Sequence, residues 1–167
     1  MKLLVLPGDG IGPEISAATL VVLKAASRKF GLGLTFRSED IGLVTLKKHG
    51  TTLTPRVMDI ARKSDGVILG PVSHLDYPPR EQGGINPSGE FRSKLELYAN
   101  IRPARSRPGL GFGGKPMDLV IYRENTEGFY ADRSMYKGIG EFMPTEDVAL
   151  SVRKITTRGC KIGRAHV

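Results

Sequence analysis

The chain has 167 residues, and its 25 lysines and arginines against 17 aspartates and glutamates give a formal net charge of +8. Its one cysteine, Cys160, excludes an internal disulfide, and no apolar run reaches the roughly 20 residues that cross a bilayer. These features indicate a globular, cytoplasmic protein with no membrane partner. The positive charge indicates either a nucleic-acid surface or a site for a small polyanion.

The first 70 residues alternate between short apolar runs and amphipathic segments. The apolar runs are bounded by proline, glycine or Asp-Gly and predict strands at residues 2–6, 34–36 and 67–69. The amphipathic segments predict helices at residues 13–29, 43–49 and 54–63. Because strands and helices alternate, we expect an α/β fold with a largely parallel sheet.

The rest of the chain is richer in loops. Residues 71–90 predict one long loop, near whose end Ser88 is placed to cap a helix over residues 89–98. Further strand signals are found at residues 100–103, 117–122 and 148–152. The stretches between them, 104–116 and 131–147, are predicted to be irregular.

A glycine-rich turn follows the first strand. Residues 8–13, GDGIGP, join that strand to a helix that begins near Pro13. Such a turn brings backbone N–H groups close to an anion. The dinucleotide fingerprint needs two residues before its third glycine and this turn has one, which excludes a Rossmann motif. Taken alone, the pattern favours a tight strand-to-helix turn.

Three arginines lie on or at the ends of predicted elements. They are Arg92, Arg102 and Arg123. A guanidinium group binds a carboxylate through two parallel hydrogen bonds. Convergence of the three would therefore suit a substrate with two or more carboxylates. Their spacing equally allows solvated surface arginines or salt bridges.

A second candidate segment follows Arg123. Residues 124–130, ENTEGFY, place Tyr130 near a glycine after a strand. A tyrosine hydroxyl whose pKa is lowered by nearby cations can act as a general acid, although a core or interface aromatic is the simpler interpretation. The three histidines show no metal-ligand spacing, and no GxSxG element marks a hydrolase.

Three of these stretches together resemble the β-decarboxylating dehydrogenases, the family of isocitrate, 3-isopropylmalate, tartrate and homoisocitrate dehydrogenases. The stretches are LPGDGIGPE at residues 6–14, LYANIRP at 97–103 and RENTEGFY at 123–130. The resemblance implies an isopropylmalate dehydrogenase-like α/β fold, which is not a Rossmann fold and which in the full-length parent enzyme comprises two domains. It also implies that this chain is a truncated, N-terminal part of that parent.

The resemblance implies that the full enzyme oxidises a 2-hydroxy acid with NAD or NADP and Mg²⁺ or Mn²⁺, and that loss of the β-carboxylate follows. It assigns Arg92, Arg102 and Arg123 to the malate-like part of the substrate. It assigns Tyr130 to protonation of the enolate carbon. Ser88 falls in the segment that distinguishes the third substituent of the substrate.

The same resemblance places the cofactor beside five residues. They are Ile11, Gly70, Pro71, Val72 and Asn86. The catalytic lysine and the metal ligands are implied to lie after position 167, so no metal ligand is expected within this chain. The full enzyme is implied to be a homodimer, since such active sites draw on two subunits.

The segment before Arg92 leaves the substrate open. Asn86 and Ser88 stand in the reverse order to the serine and asparagine of isocitrate enzymes, and the segment is only partly apolar, unlike that of isopropylmalate enzymes. A tartrate- or isopropylmalate-like hydroxy acid is favoured, with isocitrate behind it.

The resemblance also divides the chain. Residues 1–98 are expected to form the N-terminal part of a large domain, and residues 99–161 to begin a smaller dimerisation domain. The last six residues, 162–167, read IGRAHV and match the translation of ATC GGA AGA GCA CAC GTC, a string typical of a sequencing adapter. We expect this tail to be foreign to the protein, and a genuine short tail is the alternative.

Two other functions fit the sequence. The charge and the basic stretch at residues 102–115 would suit a nucleic-acid-binding module, although no helix-turn-helix, RNA-binding motif or interleaved aromatic accompanies them. The second alternative is a non-catalytic, truncated paralogue that pairs with a full subunit. The leading hypothesis is a dehydrogenase fragment whose partner is a small hydroxy acid and which binds no nucleic acid.

Overall fold

The computed structural model describes residues 1–107, 115–127 and 140–164, with side chains described as far as residue 161. The chain divides into two compact units, Met1–Phe91 and Arg92–Val167. The boundary expected from the sequence, after residue 98, lies a little further along the chain. Among the described residues, no helix is both long and apolar enough to span a membrane.

The first unit is built on a three-stranded parallel sheet. β1 (Lys2–Leu6) lies between β2 (Thr35–Ser38) and β3 (Gly66–Leu69), and both neighbours run parallel to it. Because β1 is central, the side chains near its carboxyl end, from Leu4 to Leu6, are at most 1% exposed. The α/β alternation and the parallel sheet expected from the sequence are confirmed here.

Three helices connect these strands. They are α1 (Gly12–Phe30), α2 (Leu43–His49) and α3 (Pro55–Arg62). α1 has a proline in its first turn and is followed by Gly31, whose φ of 65° gives a left-handed C-cap. The Thr54 hydroxyl caps α3 by accepting the backbone N–H of Val57 at 3.4 Å. Local signals of this kind explain why the predicted helices agree closely with the observed ones.

The long loop after β3 contains two short 3-10 turns, at His74–Asp76 and Arg80–Gln82, before α4 (Pro87–Lys94) begins. The prediction that Ser88 caps a helix over residues 89–98 is wrong, because Ser88 lies inside α4. Asn86 caps it instead, since its Oδ1 accepts the backbone N–H of Gly89 at 3.4 Å. Asparagine before a proline at the first helical position is a strong helix start.

The second unit contains two antiparallel strand pairs and a helix. β4 (Ala99–Arg105) pairs with β5 (Asp118–Glu124), β6 (Glu141–Thr145) pairs with β7 (Val148–Ser151), and α5 spans Thr157–Arg164. β6 falls in a stretch predicted to be irregular, and β4 continues past its predicted end. Both depend on pairing with a neighbouring strand, which local sequence does not reveal. α5 has no counterpart among the predicted elements and includes residues 162–164 of the tail expected to be foreign.

The loops after β1 and β3 touch through their backbones. Gly8 has a φ of +79°, and a Cβ atom on it would lie 2.0 Å from the carbonyl oxygen of Pro71. Similarly, a Cβ atom on Gly70 would lie 2.0 Å from the carbonyl oxygen of Pro7. Because any side chain would separate the loops, glycine is required at both positions.

Gly8→Ala should destabilise the chain far more than Gly10→Ala. Both glycines have positive φ, +79° and +55°, so each alanine incurs the left-handed backbone cost of about 1–2 kcal/mol. Only at Gly8 would the new methyl also collide with Pro71, because a Cβ on Gly10 meets nothing within 4 Å. Urea unfolding of the two variants measures the difference, and equal losses of stability would contradict it.

Candidate active site

The carboxyl ends of β1 and β3 form the first part of the candidate site. From β1 the chain passes through α1 to β2, which lies along one edge of β1. It later passes through α2 and α3 to β3, which lies along the other edge of β1. In open parallel sheets, ligands bind beyond the carboxyl ends of the strands at the topological switch point, where successive strands are added on opposite edges of a central strand. The turn at residues 8–13 and the loop at residues 70–73 both lie there.

The structure brings together four of the five residues expected near a cofactor. Gly70, Pro71 and Val72 directly follow β3. A Cβ atom on Gly12 would lie 3.2 Å from the carbonyl oxygen of Pro71, so the start of α1 contacts this loop. Ile11 immediately precedes α1 and is 58% exposed. An apolar side chain is therefore presented to solvent beside the loop.

The fifth expected cofactor residue, Asn86, stands at the start of α4. The side chain of Asn86 caps that helix, and its backbone carbonyl oxygen accepts the backbone N–H of Glu90 at 3.0 Å. The neighbouring Ile85 is held by Thr52, a buried residue whose hydroxyl donates to the Ile85 carbonyl at 2.6 Å and accepts its N–H at 2.8 Å. Asn86 is thus on a well-anchored segment.

Asp9 is a functional candidate that the sequence pattern alone does not single out. It is only 6% exposed, and its carboxylate accepts the backbone N–H of Leu43 at 2.7 Å, the backbone N–H of Ser73 at 3.1 Å and the hydroxyl of Tyr77. Burial, together with the hydrogen bond to Asp9 and its negative charge, raises the pKa of Tyr77. The only sequence signal for this role is an acidic residue inside a glycine-rich turn.

Arg102 and Arg123 lie on one face of the β4–β5 pair. Asn100 is directly opposite Arg123 in the ladder, and Arg102, two residues after Asn100, points to the same face. The Nε of Arg102 donates to Oδ1 of Asn100 at 3.0 Å. Both arginines are exposed, so the strand register places two guanidinium groups on the same surface.

Arg92 and Ser88 both lie on α4. Arg92 is half-buried, and its carbonyl oxygen accepts the backbone N–H of Leu97 at 3.0 Å. It belongs to the second unit together with Arg102 and Arg123, whereas Ser88 belongs to the first. The three expected substrate arginines are therefore parts of one compact unit.

The segment after Arg123 anchors its neighbours. Asn125 is 4% exposed and donates from Nδ2 to the carbonyl of Leu97 at 3.1 Å. The Glu127 carboxylate accepts the backbone N–H and the hydroxyl of Thr156, the residue before α5, at 2.8 and 2.6 Å. Tyr130, the expected general acid, lies outside the described residues.

Glu124 starts this segment surrounded by donors. Its carboxylate accepts the backbone N–H groups of Thr126 and Glu127 at 2.8 and 2.6 Å, and the Thr126 hydroxyl at 3.0 Å. Burial by itself would raise the pKa of Glu124, but these hydrogen bonds outweigh burial and lower it. The ionised carboxylate therefore holds the turn that leads towards residue 130.

Carboxylates of this kind are also the side chains to consider for metal coordination. Within residues 1–107, 115–127 and 140–164, no three His, Cys, Asp or Glu side chains are grouped so that they could hold a metal ion. Asp9, the most buried carboxylate at the carboxyl edge of the sheet, faces N–H and O–H donors, which is the environment of a hydrogen-bond acceptor. The described residues do not fit a metal site.

Comparisons with known proteins point to one family. The family profile described as isocitrate/isopropylmalate dehydrogenase matches residues 2–164. The 3-isopropylmalate dehydrogenase of Pseudomonas putida is 40% identical over 139 residues, which cover 77% of this chain and 38% of that enzyme. The 3-isopropylmalate dehydrogenase of Saccharolobus solfataricus is 33% identical over 156 residues, which cover 93% of this chain and 42% of that enzyme.

Solved structures show the same similarity in three dimensions. Isocitrate dehydrogenase from Methylococcus capsulatus superposes with a TM-score of 0.76 at 32% identity, over 98% of this chain and 45% of the other. The TT0538 protein from Thermus thermophilus superposes with a TM-score of 0.73 at 34% identity, over 98% of this chain and 31% of the other. The chain thus spans less than half the length of these relatives.

Glu124→Gln should reduce stability at neutral pH and have a smaller effect in acid. Because the folded-state pKa of Glu124 lies below the unfolded value of 4.5, its carboxylate contributes stability that is present above the unfolded pKa and lost as the pH falls through the folded pKa. Urea unfolding between about pH 7 and about pH 3 measures this. Glu146→Gln, at the exposed turn between β6 and β7, is the control, and a pH-independent effect of Glu124→Gln would contradict the prediction.

Proposed function

Because the chain belongs to the isocitrate/isopropylmalate dehydrogenase family, we propose that it is the N-terminal part of an NAD- or NADP-dependent enzyme that oxidises a 2-hydroxy acid and removes its β-carboxylate. One observation carries this proposal: Arg102 and Arg123 share a face of the β4–β5 pair. Two guanidinium groups on one surface suit a substrate with more than one carboxylate.

The arginines are proposed to bind and orient the substrate. Arg92, Arg102 and Arg123 would each form charge-assisted hydrogen bonds with its carboxylates, and the Asn100 oxygen supports this by holding Nε of Arg102. Ser88 would face the substituent that distinguishes one hydroxy acid from another. A tartrate- or isopropylmalate-like acid is favoured, with isocitrate behind it.

Tyr130 is proposed as the proton donor that completes the reaction. Oxidation at C2 produces a 2-oxo acid, and loss of CO₂ then leaves an electron pair on the neighbouring carbon as an enolate. A phenol can return a proton to that carbon as a general acid. Tyr130 follows Glu124 by six residues, and the turn between them begins with the hydrogen bond from Glu127 N–H to Glu124. This short separation from β5, which carries Arg123, supports the proposed role.

NAD or NADP would supply the hydride acceptor at the carboxyl edge of the first unit. The exposed Ile11 and the open space at Gly10, where a Cβ would meet nothing within 4 Å, fit a flat ligand resting on this edge. The residues proposed to hold it are Ile11, Gly70, Pro71, Val72 and Asn86. Ligands for Mg²⁺ or Mn²⁺ are proposed to lie outside this chain, and no step is assigned to the ion here.

Exposed apolar side chains support the view that more protein covers the second unit. On β4 and β5, the side chains of Ile101, Ile121 and Tyr122 are between 44% and 56% exposed. Apolar surface of this kind is normally covered by further chain or by a second subunit. A complete enzyme that is a homodimer would provide both.

Arg102→Gln should weaken substrate binding in the protein encoded by the complete gene. Loss of a charged hydrogen-bonding group raises the expected KM for the hydroxy acid by roughly 10- to 100-fold. Arg105→Gln is the matched control, because Arg105 lies on the opposite face of the same strand and pairs with Asp118 at 3.3 Å. NAD(P)H formation with tartrate, 3-isopropylmalate and isocitrate measures both variants, and equal KM values for them would argue against the arginine site.

Residues 1–167 by themselves should not reduce NAD or NADP. The catalytic lysine and the metal ligands are proposed to lie outside this chain, so the purified chain would lack the groups needed for proton transfer and for stabilisation of the enolate. The assay uses Mg²⁺ or Mn²⁺ with the same three acids, and the product of the complete gene is the positive control. Measurable turnover by the 167-residue chain would refute the proposed division of the site.

A further inference from the structure

Asp9 links the glycine-rich turn to the loop that follows β3. Its backbone N–H donates to the carbonyl of Pro71 at 2.8 Å, and its carboxylate accepts the N–H of Ser73 and the hydroxyl of Tyr77. In the described part of the chain, every hydrogen bond from residues 71–77 to the rest of the first unit ends on Asp9. Asp9 is therefore the hydrogen-bonding anchor of this loop.

Apart from Asp9, the start of the loop is restrained by the close backbone contact of Pro71 with Gly8 and Gly12, whereas its middle is largely exposed. Pro71, His74 and Asp76 are exposed, and Leu75 is 88% exposed, so few apolar contacts restrain its middle. A buried carboxylate that accepts several donors forms strong, directional hydrogen bonds. The hydrogen bonds that position residues 72–77 against the turn after β1 thus converge on one carboxylate.

The opposite side of the Asp9 carboxylate is held by the start of α2. Oδ1 accepts the N–H of Leu43 at 2.7 Å. Gly42, with a φ of +77°, lies so close that a Cβ atom on it would be 2.3 Å from Oδ1. The carboxylate is enclosed between α2 and the loop, so its orientation is determined from both sides.

We propose that Asp9 is the positioning residue of the cofactor surface, fixing residues 71–77 against the turn at residues 8–12 so that the carboxyl edge of β1 and β3 has one shape. The identity of the ligand, NAD or NADP, rests on the proposed function. The role of Asp9 in holding the loop does not depend on the proposed function. Asp9 acts through Ser73 and Tyr77 and takes no part in the chemical steps.

An amide at this position cannot replace the carboxylate. The Asp9→Asn side chain has one acceptor oxygen and one NH₂ donor, whereas Leu43 and Ser73 both present backbone N–H groups. If the oxygen faces Leu43, the NH₂ group meets the N–H of Ser73, and the loop is released. The Tyr77 hydroxyl can rotate to accept a hydrogen bond from the amide NH₂, whereas the backbone N–H of Ser73 can only donate. Ser73 therefore loses its hydrogen bond to residue 9.

The test compares Asp9→Asn and Tyr77→Phe with Asp65→Asn in the protein encoded by the complete gene. Asp65 is the matched control, because its Oδ2 accepts the backbone N–H of Lys2 at 2.6 Å at the opposite end of β1. Calorimetry measures the Kd values of NAD and NADP, steady-state assays give the KM for the hydroxy acid and kcat, and hydrogen exchange reports on the amides of residues 71–77.

Asp9→Asn is expected to weaken cofactor binding by about tenfold or more and to speed exchange in residues 71–77, while the KM for the hydroxy acid stays near the native value. Tyr77→Phe is expected to show the same effects at a smaller size, because it removes one donor and keeps the carboxylate. Asp65→Asn is expected to leave both cofactor affinity and loop exchange unchanged.

The outcomes separate this inference from the proposed function. If the native protein binds neither NAD nor NADP, the proposed function fails, and faster exchange in Asp9→Asn still supports the loop-holding role whereas unchanged exchange overturns it. If the native protein binds a cofactor and Asp9→Asn binds it equally well, or Asp65→Asn loses as much affinity, the positioning role is overturned. If Asp9→Asn does not fold, Tyr77→Phe decides, and native affinity and exchange in that variant overturn the proposal.

Discussion

The first unit depends on the close contact between the loop after β1 and the loop after β3. Two glycines, Gly8 and Gly70, each lie where any side chain would collide with a carbonyl oxygen of the opposing loop. Asp9 then joins the loops through its backbone and its carboxylate. β1 and β3 are neighbours in the sheet, and Leu4 to Leu6 of β1 are buried, so the contact stands directly on the core of the unit. A ligand at this edge would meet a surface already formed.

The second unit depends in the same way on strand register. β4 and β5 pair so that Asn100 lies opposite Arg123, which places Arg102 on the same face. A shift of one residue would turn Arg102 to the opposite face, where Arg105 now lies. The turn after β5 is held by Glu124 and by Glu127. Register and turn together determine which charges share a surface.

The net positive charge is easier to interpret once the ion pairs are known. Arg37 and Arg56 both contact Glu39, and Arg80 contacts Glu90. In each pair the arginine is exposed and the glutamate is half-buried, so part of the positive charge is matched locally. The two arginines on one face of the β4–β5 pair are a local concentration of positive charge that these ion pairs do not include.

The sequence by itself determined the elements whose signals are local. The apolar run of β1, the proline at the start of α1 and the glycine at its end define those elements without help from the rest of the chain, and the predicted bounds agree with the structure within a few residues. The sequence also supplied the residue types of the site. Only the tertiary structure decided that β6 is a strand, that Asp9 holds the loop after β3, and that Arg102 and Arg123 share a face. Each of these depends on contacts between separate segments of the chain or on strand register, and neither leaves a periodic signal in the local sequence.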